Sequence, residues 1–203
     1  MSFQNRIALF VNSPLLEREV RRTFNSRFNY AAFLSFLSDE ENRNIFNRDD
    51  KYNDIVRAIY FCAQTVFKDN RFVQRESEGH KKFLNALRNM QYEIDMSWNS
   101  IDAHMVVAAM NIAANSSIDT VLLLGITVDH EPLIWDLRSK GKKVIGFFAD
   151  SFNVSERIKN ALHWTYTIKP EWDFLTPLPS DGQFNEEEHN EEHQSTGAVQ
   201  TTA

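Results

Sequence analysis

The feature that most restricts the fold is a series of short apolar runs, each followed by a polar turn and a helical pattern. The runs at 7–11, 120–125 and 144–148 read IALFV, TVLLLG and VIGFF. Such runs are typical of strands buried on both faces, and strands that alternate with helices favour a parallel sheet. We therefore expect a three-layer α/β domain with a mainly parallel sheet of five or six strands.

Other segments complete this alternation. Three more strands are predicted at 55–63, 92–98 and 164–168. Helices are predicted from Ser13-Pro14 onward and at 30–37, 78–90, 101–114, 132–140 and 155–162. Ligands of parallel sheets bind beyond the carboxyl ends of the strands. The segments to inspect for a site are therefore 12–14, 64–65, 125–131 and 149–151.

The C-terminal segment differs in composition from the rest of the chain. After Pro170 the sequence has no apolar periodicity, so we expect one domain over 1–170 and a disordered acidic tail over 171–203. The chain has 22 basic and 28 acidic residues, a net charge of −6, but six of the acids and no Lys or Arg lie from Ser180 onward. The body is therefore neutral, which neither excludes nor supports a nucleic-acid partner.

Cysteine content and hydropathy indicate the compartment. Cys62 is the only cysteine, so no internal disulfide can form, and its place in a predicted strand indicates a small buried apolar side chain. There is no apolar run long enough to span a membrane, and the first apolar stretch is too short for a secretory signal. We expect a cytoplasmic protein with no membrane partner.

Three segments in order carry a more specific pattern. They are IALFVNSPLL at 7–16, SIDAHMVVAAMNIA at 100–113 and DTVLLLGITVDHEPLIWDLRSKGKKVIGFF at 119–148. Together they resemble a NYN domain of the PIN-like superfamily, similar to the LabA group, over roughly Arg6 to Ile168. The resemblance implies a PIN-like, Rossmannoid fold and descent from ribonucleases that use Mg²⁺ or Mn²⁺.

The resemblance also implies where metal ligands would lie. Active members hold divalent ions with carboxylates at strand ends, because these ions prefer hard oxygen ligands. Three positions where the family typically has an acid carry another residue here: Asn12, Ala108 and Ile126. Asp102 is retained, and Asp129 or Glu131 would supply a second acid. The resemblance therefore implies an impaired metal site.

The retained acids have structural alternatives. Asp102 and Asp129 are the candidate catalytic and metal-binding residues. Asp102 could instead be a helix N-cap, a role for which Asn99 and Ser100 compete. Asp129 could likewise cap the next helix.

Several further residues near the predicted strand ends are candidate pocket residues. These are Asn12, Ser13, Gly125, Thr127, His104, His130 and Glu131. A histidine there could contact phosphate or transfer a proton, and the alternative is an ordinary surface or half-buried histidine. Candidate phosphate contacts are Arg21, Arg22, Arg27, Lys81, Lys82 and Arg88. Solvated helix faces carry such residues routinely, so this signal is weak.

The predicted tail contains one motif of its own. Residues 189–193 fit the inverted zinc-protease pattern H-x-x-E-H. That chemistry needs a stable helix inside a folded cleft, whereas the motif lies in a Glu-rich segment without apolar periodicity. We do not expect a zinc enzyme.

Three functions remain as hypotheses. The first is an RNA-associated or protein-interaction module with an impaired metal site and no cofactor. The second is an active ribonuclease that uses Asp102 and Asp129 with Mg²⁺ or Mn²⁺. The third is a regulatory subunit that pairs with another NYN-like chain through an exposed aromatic insert at 24–46. RNA, a protein partner and a homo-oligomer all stay open as binding partners.

Overall fold

The computed structural model describes six parts of the chain, residues 4–39, 52–63, 78–97, 100–114, 117–150 and 153–179. Some features singled out in the sequence lie outside these residues: Gln64, Thr65, Asn99, Ser151, the H-x-x-E-H motif and positions 40–46 of the aromatic insert. The predicted alternation of strands and helices is present in the described parts.

The described strands and helices are as follows, in chain order. The strands are β1 (Gln4–Asn12), β2 (Ser26–Phe28), β3 (Tyr52–Ala63), β4 (Tyr92–Ser97), β5 (Thr120–Leu124), β6 (Lys143–Phe148), β7 (Trp164–Thr167) and β8 (Leu175–Pro177). The helices are α1 (Ser13–Phe24), α2 (Tyr30–Ser38), α3 (Glu78–Asn89), α4 (Ile101–Ala113), α5 (Glu131–Ser139) and α6 (Glu156–Ala161). A 3₁₀ helix, Val128–His130, leads into α5.

Six strands form one sheet in the order β4-β3-β1-β5-β6-β7. Every pairing in this sheet is parallel, which confirms the predicted α/β class and sheet. Their carboxyl ends therefore lie along one edge. The chain leaves β1 toward one side of the sheet and returns to β5 on the other, so these two strands flank the topological switch point.

The continuous apolar runs arise because the central strands are covered on both faces. In β1, Ile7, Leu9 and Val11 join the core beneath α1, α2 and α3, and Ala8 and Phe10 join the core beneath α4, α5 and α6. All five side chains are fully buried. This three-layer packing fixes the strand ends and with them the position of the site.

The chain remains folded beyond the predicted domain boundary at residue 170. Phe174 is buried, with its ring centroid 5.4 Å from Phe28 and 5.1 Å from Phe33. β8 pairs antiparallel with β2. The sequence pattern does not predict this pairing, because each strand has only three residues. Placing 171–179 in a disordered tail was therefore wrong, and 180–203 lie outside the described residues.

The described part of the aromatic insert belongs to the core. Phe28, Tyr30, Phe33 and Leu37 are all buried in the core beneath α1, α2 and α3. An exposed aromatic surface over 24–39 was thus a wrong expectation, because β8 and the segment around Phe174 cover it.

The structure also bears on the predictions for Cys62 and for membrane-spanning segments. Cys62 lies in β3 and is buried in the core, as predicted. In the described parts of the chain, no helix combines the length and apolar character needed to cross a membrane.

Candidate functional site

The candidate site lies where β1 and β5 end side by side. Asn12 is the last residue of β1, and Gly125 follows directly after β5. Asp102 approaches from the first turn of α4, and His130 from the end of the 3₁₀ helix. Four of the positions predicted from the sequence are therefore brought together at the topological switch point.

Asp102 accepts a hydrogen bond from Asn12. Asn12 Nδ2 lies 2.6 Å from Asp102 Oδ1, and Asn12 is only 2% exposed. His130 Nε2 lies 3.6 Å from the same carboxylate oxygen, and the His130 side chain is completely buried. The Asp102 side chain is 44% exposed, so the acid borders solvent while its two neighbours are inside the protein.

The hydrogen bonds of His130 fix its protonation. The Thr127 backbone N–H donates to His130 Nδ1 at 3.1 Å, so Nδ1 carries the lone pair and the neutral ring has its proton on Nε2. Burial lowers the pKa of His130, while the Asp102 and Asp129 carboxylates act in the opposite direction. A neutral ring with an Nε2–H group therefore faces Asp102. This N–H has no hydrogen-bond partner among the described residues.

Gly125 allows the two strand ends to approach closely. Its φ is +68°, and a Cβ there would stand 2.4 Å from the Asn12 carbonyl oxygen. That distance is far inside van der Waals contact, so only glycine fits without moving the backbone. The residue after β5 thus holds Asn12 in position.

An open cleft of about 250 Å³ lies above Asn12 and Asp102, beyond the ends of β1, β3 and β4. Its polar wall also includes Ser97 and Ser100. His130 is fully buried and does not line this cleft, so it has no direct access to a ligand there. Among the described residues of the cleft wall, Asp102 is the ionisable one that a bound molecule would meet.

Three other candidate residues face different partners. Ser13 is buried and hydrogen-bonds with Tyr60 in the core beneath α1. His104 Nδ1 lies 3.2 Å from Asp95 Oδ1 on the exposed side of β4. Glu131 pairs with Arg157 at 2.6 Å. The structure therefore does not bring Ser13, His104 or Glu131 to Asp102.

None of the remaining positions has a described hydrogen bond or ion pair with Asp102. Asp129 is exposed in the 3₁₀ helix, where Thr127 rather than Asp129 is the N-cap. Ile126 is buried in the core beneath α4, α5 and α6. Ala108 lines a separate cleft with Arg57 and Glu93, so an acid at 108 would not reach the cleft above Asp102.

Ser100, and not Asp102, caps α4. Ser100 Oγ accepts from the Ala103 backbone N–H at 3.2 Å. Ser100→Ala is expected to lower the free energy of unfolding by about 1 kcal/mol, because this donor would lose its partner. Urea unfolding measures the change, and a wild-type unfolding free energy would show that another group caps the helix.

The donor groups at this point do not suit a divalent cation. Asn12 directs an amide N–H toward Asp102, and His130 presents an N–H rather than a lone pair. In the described ranges, no three His, Cys, Asp or Glu side chains are grouped as a metal ion would require. The metal implied by the resemblance is therefore not matched by the residues present.

Comparisons with known proteins agree with the fold. The family model of the NYN domain matches residues 6–169. The chain belongs to the NYN domain family. The crystal structure of a protein of unknown function from Vibrio parahaemolyticus RIMD 2210633 superimposes on this NYN domain with a TM-score of 0.65 and 18% identity, over 85% of this chain and 96% of the other. That likeness concerns the fold alone. No curated protein matches the sequence.

The sequence of this NYN domain predicts most of the site residues but not which of them contact one another. Asn12 and Asp102 are 90 positions apart, and nothing local indicates that one donates to the other. The Thr127–His130 pair has the spacing of a capping box, with His130 at the position that Glu or Gln usually occupies.

Proposed function

We propose that this NYN domain is an RNA-associated module in which hydrogen bonds have replaced the divalent-metal site. The observation that carries the proposal is the 2.6 Å hydrogen bond from Asn12 Nδ2 to Asp102 Oδ1. Where a metal-dependent nuclease needs a cation to bring carboxylates together, this acid is satisfied by an amide and faces a neutral imidazole N–H.

An RNA ligand is favoured over a protein partner by the surfaces available. NYN domains generally bind RNA. The cleft above Asp102 extends to Pro14 at the start of α1, and Arg18 and Arg21 follow on the exposed part of that helix. Positive charge beside a polar cleft suits a phosphate backbone. The aromatic residues on which a protein-interaction role depended are buried in the described part of the insert.

A ribonuclease is the second candidate. Asp102 and Asp129 both act electrostatically on His130, so the two acids lie in one region of the molecule. Asp129 is exposed and Asp102 is half-exposed, so a cation near both would keep most of its water ligands. This arrangement supplies fewer protein ligands than hydrolysis at phosphorus normally uses.

Incubation of the full chain with single-stranded RNA distinguishes the two. With Mg²⁺ or Mn²⁺ we expect no cleavage above the rate measured in EDTA, together with RNA binding that weakens as salt rises. Filter binding and gel analysis of the same samples measure both properties.

Asp102→Asn is the test variant, with Asp95→Asn as its control, because Asp95 bonds to exposed His104 outside the cleft. Metal-dependent cleavage that disappears in Asp102→Asn and persists in Asp95→Asn would overturn the proposal. Failure of the wild-type chain to bind RNA at low salt would also overturn it.

A further inference from the structure

We propose that a second site, the groove between α1, β2 and α3, binds a guanosine monophosphate group, either free or at the phosphorylated end of an RNA. The groove has a volume of about 610 Å³, within the range of small-molecule sites. It shares Pro14 with the cleft above Asp102, and its other lining residues are different. The inference goes beyond the proposed function: the two share Arg18 and Arg21, but the cleft above Asp102 takes no part in this site.

The charge of the groove suits a phosphate monoester. Arg18 and Arg21 reach it from α1 and Arg27 from β2, and Glu17 is the only acid in the described wall. No described carboxylate forms a salt bridge with any of the three arginines. Three guanidinium groups and one carboxylate leave an excess of two positive charges. A phosphate monoester carries nearly two negative charges at neutral pH.

Phe83 offers a surface on which a base can stack. It lines the groove from α3 and is 37% exposed, so part of its ring is open to a ligand in the groove. Its ring centroid lies 6.1 Å from Tyr30 and 6.0 Å from Tyr60, so two buried rings hold it from one side. Proteins commonly bind nucleotides with such an arrangement: the base stacks on a fixed aromatic ring, and the phosphate contacts cationic side chains beside it.

Glu17 supplies the selectivity. Tyr30 Oη donates to Glu17 Oε1 at 2.9 Å, and Tyr60 Oη donates to the same oxygen at 3.2 Å. Burial raises the pKa of both tyrosines, so both hydroxyls stay protonated and hold the carboxylate in place. Glu17 Oε2 has no side-chain donor among the described residues.

The fixed carboxylate favours one base. Guanine presents two adjacent N–H donors, N1–H and the N2 amino group. Glu17 Oε1 is already occupied by the two tyrosine hydroxyls, and Oε2 can accept from both guanine donors because a carboxylate oxygen has two acceptor sites. Adenine and cytosine place a ring acceptor beside their amino group, and uracil has a single donor between two carbonyls. Each of these would direct a lone pair at the Glu17 carboxylate.

Calorimetric titration of the full chain tests this site. GMP is expected to bind about tenfold more tightly than AMP, CMP or UMP, and more tightly still than inorganic phosphate. Two short RNAs, one beginning with 5′-phosphoguanosine and one with an unphosphorylated guanosine, identify the source. Preference for the phosphorylated RNA over GMP assigns the site to RNA ends, and the reverse assigns it to the free nucleotide.

Three variants divide the binding into its parts. Arg21→Ala is expected to lower the affinity for all four nucleotides about tenfold, because a phosphate contact is lost. Phe83→Leu is expected to lower the affinity by a similar factor, because the stacking surface is lost while an apolar side chain still packs against the tyrosines. Glu17→Gln is expected to abolish the preference for GMP over AMP. Arg22→Ala is the matched control, because Arg22 lies on the same helix but lines a different cleft.

Thermal unfolding of each variant shows whether it remains folded. Equal binding of the four nucleotides by the wild-type chain, binding no tighter than that of inorganic phosphate, or equal losses in Arg21→Ala and Arg22→Ala would each overturn the proposal. If the wild-type chain binds GMP but not RNA, the proposed function is contradicted and the nucleotide site is still supported.

Discussion

Replacing Asn12 with aspartate is expected to lower the free energy of unfolding at neutral pH by about 3 kcal/mol. Asn12 is 2% exposed, and its amide nitrogen lies 2.6 Å from Asp102 Oδ1. The substitution exchanges a donor for a second carboxylate at hydrogen-bond distance from the first. Two carboxylates this close share a proton, so the pKa of the pair in the folded state lies above that of a free aspartate.

The sign of the pH dependence follows from that raised pKa. Below the pKa of an unfolded aspartate, about 3.9, the new carboxyl is protonated in both the folded and the unfolded chain. Its ionisation therefore does not lower the free energy of unfolding there. As the pH rises above that value the unfolded chain loses its proton while the folded pair retains it, and the decrease in the free energy of unfolding grows until the folded pKa is passed. Urea unfolding of both proteins between pH 4 and 8 measures the difference.

Two further measurements make this prediction specific to the pair. The reciprocal double variant, Asn12→Asp with Asp102→Asn, restores one amide and one carboxylate and is expected to recover most of the stability. Millimolar Mn²⁺ is expected to stabilise Asn12→Asp but not the wild-type chain, because two carboxylates form a better site for a hard cation. A deficit that is the same at every pH would show that the packing of Asn12, and not its hydrogen bond, is what matters.

Gly125→Ala is expected to destabilise the protein by about 3 kcal/mol or more. The new Cβ would lie 2.4 Å from the Asn12 carbonyl oxygen and 3.0 Å from the Leu16 backbone nitrogen, and both atoms belong to the main chain. Relief of the clash requires β1 and α1 to move relative to β5. The positive φ of +68° adds the usual penalty for a side chain in the left-handed region.

Gly141→Ala is the matched control. Gly141 also has a positive φ, +76°, but a Cβ there would meet no atom within 4 Å. It should cost only the left-handed penalty, about 1 kcal/mol. The difference between the two variants in urea unfolding isolates the clash at Asn12. Equal losses would mean that the strand ends can separate freely, which would contradict the close approach inferred at the site.

The arrangement of strands and helices could be predicted because a strand that is buried on both faces has a continuous run of apolar residues. Thr120–Leu124 and Lys143–Phe148 each contain a continuous apolar run, and their predicted bounds differ from the observed ones by one residue. β2 and β8 have no such run, since each has three residues and is ordered by the other strand and by Phe174. The predicted domain boundary was too early for the same reason.

The sequence by itself determined the α/β class, the parallel sheet, the family and the edge of the sheet at which Asn12, Asp102 and His130 lie. Only the tertiary structure decided that Asn12 and His130 direct N–H groups at one oxygen of Asp102, and that Glu131 pairs with Arg157 instead. The physical reason is that periodicity reports which face of an element is buried. Which distant side chains meet depends on the order of the strands and on a separation of a few tenths of an ångström.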